Sequence, residues 1–152
     1  MQVETLKDLL NWTVDFHHQL SGSLADSAGE NDNERAKLLL NYLAEHEQNV
    51  CKIIKEFLTN ANSNALNTWC YEYLNKHSII KHTHADAPFA DFDTAKINEA
   101  VTHLHQQVIT LYEDLLAQIP ANSAHELLEE VFSLEQHEAM RISQSANRLE
   151  DM

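Results

Sequence analysis

Four short boxes hold the residues in this chain that could do chemistry. Phe16-His17-His18-Gln19-Leu20 is followed about 30 residues later by Leu43-Ala44-Glu45-His46-Glu47. Leu104-His105-Gln106-Gln107-Val108 is followed at a similar interval by Leu134-Glu135-Gln136-His137-Glu138. The chain thus states one pattern twice, an apolar-His-x-Gln-apolar box and then a Leu-x-x-His-Glu box, and an internal repeat bears on the whole fold. Imidazoles and carboxylates recurring in this way are the donors of a metal site. Such donors are borne on facing helices when a bundle builds one in its core.

Helical phase says which of them point inward. His17 stands four residues from Thr13, three from Leu20 and seven from Leu10 and Leu24, on the apolar stripe of its helix, while His18 is turned about 100° away. Glu47 stands four from Leu43, three from Val50 and seven from Leu40 and Ile54, a core phase, with His46 at the edge of the same face. His105 is four from Val101 and three from Val108. Glu138 is four from both Leu134 and Ile142, with His137 beside it. A buried carboxylate must be paired, protonated or bound to a cation. The expectation is that His17, His46, Glu47, His105, His137 and Glu138 converge at mid-bundle as ligands of a divalent metal. Imidazole with carboxylate suits iron, manganese or zinc. Without metal, Glu47 and Glu138 would then stand unpaired, and replacing them would stabilise the apo protein. The alternative is a metal-free interaction or sensor module in which Glu47 bonds to His105 and Glu138 to His17. Cys51 reads as a small buried hydrophobe, Tyr112 as a packing or hydrogen-bonding neighbour of the site, and Glu113 as solvated.

The elements that must position these groups follow from capping signals and periodicity. Helix 1 is expected over about 4–28, with Gly29 as a left-handed cap. Helix 2 is expected over 33–58, opened by Asn31 and Glu34. Helix 3 spans about 93–118, with Asp93 as N-cap and Phe92 and Ile97 as a hydrophobic staple. Helix 4 spans about 123–149, after Pro120 and a Ser123/Glu126 capping box. Between helices 2 and 3 lies a connection over 59–92, expected to contain a short helix near Ala65–Leu74 and then a surface loop with His77, His82 and His84. Short, long and short connections describe an all-α, antiparallel four-helix bundle with one crossover, a single domain over 1–152.

With these residues in this order, the chain resembles the ferritin-like superfamily, which includes rubrerythrins. The resemblance covers most of the chain as architecture. The superfamily places one Glu on helices 1 and 3 and Glu-x-x-His on helices 2 and 4. Here His17 and His105 stand at the single-Glu positions. Leu43-x-x-His46 and Leu134-x-x-His137 stand at the Glu-x-x-His positions, each followed by Glu47 or Glu138. His46 and His137 match the motif's histidine by register, and the carboxylates have moved along the helix. The resemblance implies a two-ion centre, iron or manganese before zinc, and a redox or oxygen-related role. It specifies neither a reaction nor a redox partner.

Composition bounds the rest. The net charge of −14 excludes a nucleic-acid ligand and a basic membrane-surface helix. No apolar run is long enough to span a bilayer, and the first residues carry no apolar signal region. Cys51 and Cys70 form no CxxC motif, which suits a reducing cytoplasm. Leu9, Trp12 and Phe16 widen the apolar face of helix 1, a face for either the crossover segment of the same chain or a second subunit, and a homodimer is the favoured assembly.

Overall fold

The computed structural model describes residues 3–74 and 88–150. Among them are four long helices, α1 (Leu6–Glu30), α2 (Glu34–Asn60), α5 (Thr94–Leu116) and α6 (Ser123–Glu150). Two one-turn helices, α3 (Ser63–Leu66) and α4 (Tyr71–Leu74), lie between α2 and α5, and the described residues contain no strand. His77, His82 and His84 lie outside the described residues.

Side-chain pairings give the helix directions. Val14 meets Cys51, His17 meets Glu47 and Ser21 meets Ala44, so α1 and α2 run antiparallel. Thr13 meets Tyr112 and His17 faces His105, so α5 also runs against α1. Tyr42 meets Ser145 and His46 meets Glu138, so α6 runs against α2. The helices α2 and α5 therefore run the same way. Residues 88–92 are tied to the end of α1, with Phe89 N–H donating to Ser27 Oγ at 3.0 Å and Asn31 Nδ2 donating to the Phe92 carbonyl at 3.0 Å. That tie starts α5 at the same end of the bundle as α2.

The helix ends differ from the expected ones for local reasons. Thr5 and Asp8 form a reciprocal capping box on α1, at 3.2 and 3.1 Å. Gly29 is not a left-handed cap: α1 continues through it to Glu30, and the C-cap is Asn31. Asn31 does not open α2 either. Its amide is spent on Phe89 and Phe92, and Asn33 caps α2 by accepting from Arg35 and Ala36 N–H. Asp93 caps α5 as its position predicts. Asn122, one residue before Ser123, accepts from Ala124 and His125 at the start of α6.

The core is continuous through all four long helices, built from residues such as Leu10, Leu20, Leu40, Val101 and Leu128. Cys51 and Cys70 are both buried and free, and burial pushes the Cys70 thiol up to about 11. Leu9 and Phe16 are buried within the chain, and Trp12 stacks on Phe16 at 5.6 Å. Trp12, on the same face, is only half-buried. Across the ends of this layer, Leu6 N–H donates to the Thr68 carbonyl at 2.9 Å and Cys70 N–H to the Glu4 carbonyl at 2.7 Å. These bonds bind the α3–α4 segment to the start of α1.

Candidate metal centre

Each long helix sends an ionisable side chain into the middle of the apolar core. His17 comes from α1, Glu47 from α2, His105 from α5 and Glu135 from α6, and all four are buried. Their phase explains this. Glu47 is flanked by Leu43, Val50, Cys51 and Ile54, all buried, so the turn of α2 that carries it cannot point elsewhere.

The four groups form one chain of contacts. Glu47 closes one carboxylate oxygen on His17 Nδ1 and the other on His105 Nε2. His17 uses its second nitrogen, Nε2, on Glu135 Oε1 at 2.7 Å. The two imidazole rings lie 5.9 Å apart, and Phe16 sets its ring edge-on to His17 at 5.2 Å. One donor atom each from His17, Glu47 and His105 lie within 4.8 Å of one another.

Electrostatics follow from burial and pairing. Burial alone would lower the His17 pKa, but Glu135 and Glu47 overcome it and hold the imidazolium well above its usual 6.5. Burial alone would raise the Glu47 carboxyl, but His105 and His17 outweigh it and hold the group far below its usual range. Beside the cluster, Tyr112 hydroxyl meets Thr13 Oγ1 at 2.6 Å, while Thr13 donates its own hydrogen to the Leu9 carbonyl at 2.8 Å. Thr13 has one hydrogen to give, so Tyr112 is the donor in their pair. Burial, with the Glu135 charge, pushes the Tyr112 phenol up. Cys51 lies a turn beyond Glu47, and its thiol donates to the Val14 carbonyl at 3.3 Å.

The expected six residues separate into two groups and one outlier. His17, Glu47 and His105 are together in the core. His46 and Glu138 are not with them: they pair with each other at 3.4 Å, partly exposed, and Arg141 reaches the second Glu138 oxygen at 3.4 Å. His137 is exposed and makes no hydrogen bond or ion pair among the described residues. The cross-bundle pair expected between Glu138 and His17 is replaced by Glu135 with His17. Neither Glu47 nor Glu138 is unpaired.

Glu135 is the site residue the sequence reading passes over. The inner face of α6 is Leu128, Val131, Glu135, Glu138 and Ile142, at three- and four-residue steps. Anchoring the stripe on Leu134, which is only half-buried, shifts the phase by one residue and hides Glu135. The repeat reinforces the shift, because it aligns Glu47 with Glu138 although the core takes its carboxylate one turn earlier on α6.

The chain matches no known family profile, and no curated protein is similar to it. Its structure resembles the crystal structure of a candidate ferritin-like diiron-carboxylate protein from Thermotoga maritima, with a TM-score of 0.60 over 94% of this chain and 95% of that one. The fold is ferritin-like. At 12% identity the likeness concerns the path of the helices and not the residues at their centre. Those residues must be judged by their own chemistry. Two imidazoles and a carboxylate, buried and convergent, are a donor set that fits a divalent cation. Among the described residues, no helix is long and apolar enough to cross a membrane.

Proposed function

We propose that this ferritin-like bundle binds a divalent metal ion between His17, Glu47 and His105. The observation that carries the reading is the convergence of three donor atoms from three helices within 4.8 Å, inside a largely apolar core. Two imidazoles with one carboxylate is the composition that holds ferrous iron with positions left open for small molecules. A catalytic zinc site can use the same two imidazoles and one carboxylate. Iron, with manganese next, is preferred to zinc on the likeness to a diiron-carboxylate fold rather than on the donor set. The three-donor group serves one ion; among the described residues no second group of three donors stands beside it to hold another. An iron ion here would supply one-electron and oxygen chemistry, which supports a redox or oxygen-related role.

A second state of the same site is favoured by the contacts of His17. With a carboxylate on each ring nitrogen, the imidazolium closes the network through protons alone. Metal binding then means displacing the proton that His17 Nδ1 shares with Glu47. A purely structural bundle is this second state made permanent.

Elemental analysis of protein purified without a histidine tag tests the proposal. Iron or manganese near one equivalent supports it, and oxygen uptake with a reductant separates a redox protein from a storage or sensing one. Protein that stays metal-free after growth in iron- and manganese-supplemented medium, and after anaerobic ferrous addition, would leave the protonated network as the function of these residues.

A further inference from the structure

We infer that Glu135 is a positioning residue that orients the His17 ring so that Nδ1, and not Nε2, is presented to the metal; this rests on the metal-binding reading above. The two nitrogens of an imidazole point away from each other, so a ring held at one nitrogen has its other direction fixed. Glu135 Oε1 stands 2.7 Å from His17 Nε2. An ionised carboxylate only accepts hydrogen bonds, so Nε2 carries the hydrogen. A neutral imidazole has a single N–H, and with that hydrogen on Nε2 the lone pair is on Nδ1. That nitrogen faces Glu47 and the side of the ring where His105 lies.

Burial strengthens the inference. Glu135 is 2% exposed, and His17 is its hydrogen-bond partner among the described residues. A carboxylate placed so deep with one partner is costly unless that partner matters. Glu135 is on the far side of the ring from the three-donor group and is not a member of it. A carboxylate that receives the second N–H of a metal-bound histidine fixes the tautomer and the ring direction, and losing such a partner lowers metal affinity about 10–100-fold.

Cobalt(II) titration of the metal-stripped chain, followed by visible absorption, tests this in the parent, Glu135→Gln and Glu135→Ala, alongside long-range proton–nitrogen spectra of the His17 ring. Glu135→Gln is nearly isosteric, and its amide oxygen still accepts from Nε2. Circular dichroism confirms that each variant is folded. The expected result is a fall in cobalt affinity of about 10–100-fold for Glu135→Ala and a smaller fall for Glu135→Gln. The loaded parent should keep a proton on Nε2 and carry cobalt on Nδ1. Equal affinities in all three proteins, or cobalt on Nε2, would overturn the inference. A parent that binds no cobalt defeats the metal reading, and the spectra of the metal-free ring then decide this one. A slowly exchanging Nε2 proton that Glu135→Gln retains and Glu135→Ala loses supports positioning; an unchanged Nε2 signal in Glu135→Ala refutes it.

Discussion

His17 and Glu47 meet in the middle of the α1–α2 pair, and neither is bonded to the other alone. Glu47 spans two imidazoles, and His17 spans two carboxylates. This linkage makes the centre a single electrostatic unit. Its behaviour differs from that of isolated buried charges, and several consequences can be measured.

The first concerns pH. His17 has a raised folded-state pKa, so its charge contributes stability fully below about 6.5, and the contribution is lost as pH rises through the raised value. Glu47 has a lowered one, so its contribution is present above about 4.5 and lost as pH falls through the depressed value. For these two groups the metal-free protein is most stable between about pH 4.5 and 6.5. Its melting temperature should decline on the alkaline side, while metal affinity rises there as the Nδ1 proton becomes easier to displace. A melting temperature flat from about pH 6 to 9 would contradict the protonated His17.

Replacing Glu47 tests the pairing. Glu47→Gln cannot accept from both rings, so it should destabilise the metal-free protein by about 3 kcal/mol, near the low end for breaking a buried pair because Glu135 still holds His17. In a chain of this length that is a drop of about 10 °C in thermal melting. A variant as stable as the parent, or more so, would mean that Glu47 is an uncompensated charge awaiting metal.

Glu138 should behave differently from Glu47. Its contacts to His46 and Arg141 are long, at 3.4 Å, and lie at the rim of the core. Glu138→Gln should cost about 1 kcal/mol or less and leave metal content unchanged. His137→Ala should be neutral within about 0.5 kcal/mol, since His137 is exposed. Loss of metal in either variant would restore these residues to the ligand set.

The Thr13–Tyr112 pair gives an asymmetric prediction. Thr13→Val leaves the buried Tyr112 hydroxyl without an acceptor, at a cost of about 1–3 kcal/mol. Tyr112→Phe leaves Thr13 bonded to the Leu9 carbonyl and should cost about 1 kcal/mol. Urea denaturation of the two variants and of the double variant checks this, because the double variant should recover part of the Thr13→Val loss.

The fold was legible because the apolar stripes and most capping residues act locally. Asp93 caps α5 by a contact within three residues, and Ile97 is buried one turn later. Asn31 misled for the opposite reason: its amide is spent on Phe89 and Phe92, about 60 positions away, which no local signal reveals, and Gly29 stays helical because α1 runs on to Glu30. At the centre, phase placed His17, Glu47 and His105 correctly in the core. The repeat then overreached. Two halves that share residue types need not share helix rotation, and α6 turns Glu135 inward while His137, the counterpart of His46, faces solvent.

The proposed metal ion lies between His17, Glu47 and His105. The most direct measurement is crystallography of protein loaded anaerobically with ferrous iron, with data collected on both sides of the iron absorption edge. One anomalous peak bounded by His17 Nδ1, a Glu47 oxygen and His105 Nε2, with Glu135 still on His17 Nε2, is the predicted result. Iron absent from that position at millimolar loading, with Glu47 still closed on both imidazoles, would contradict it.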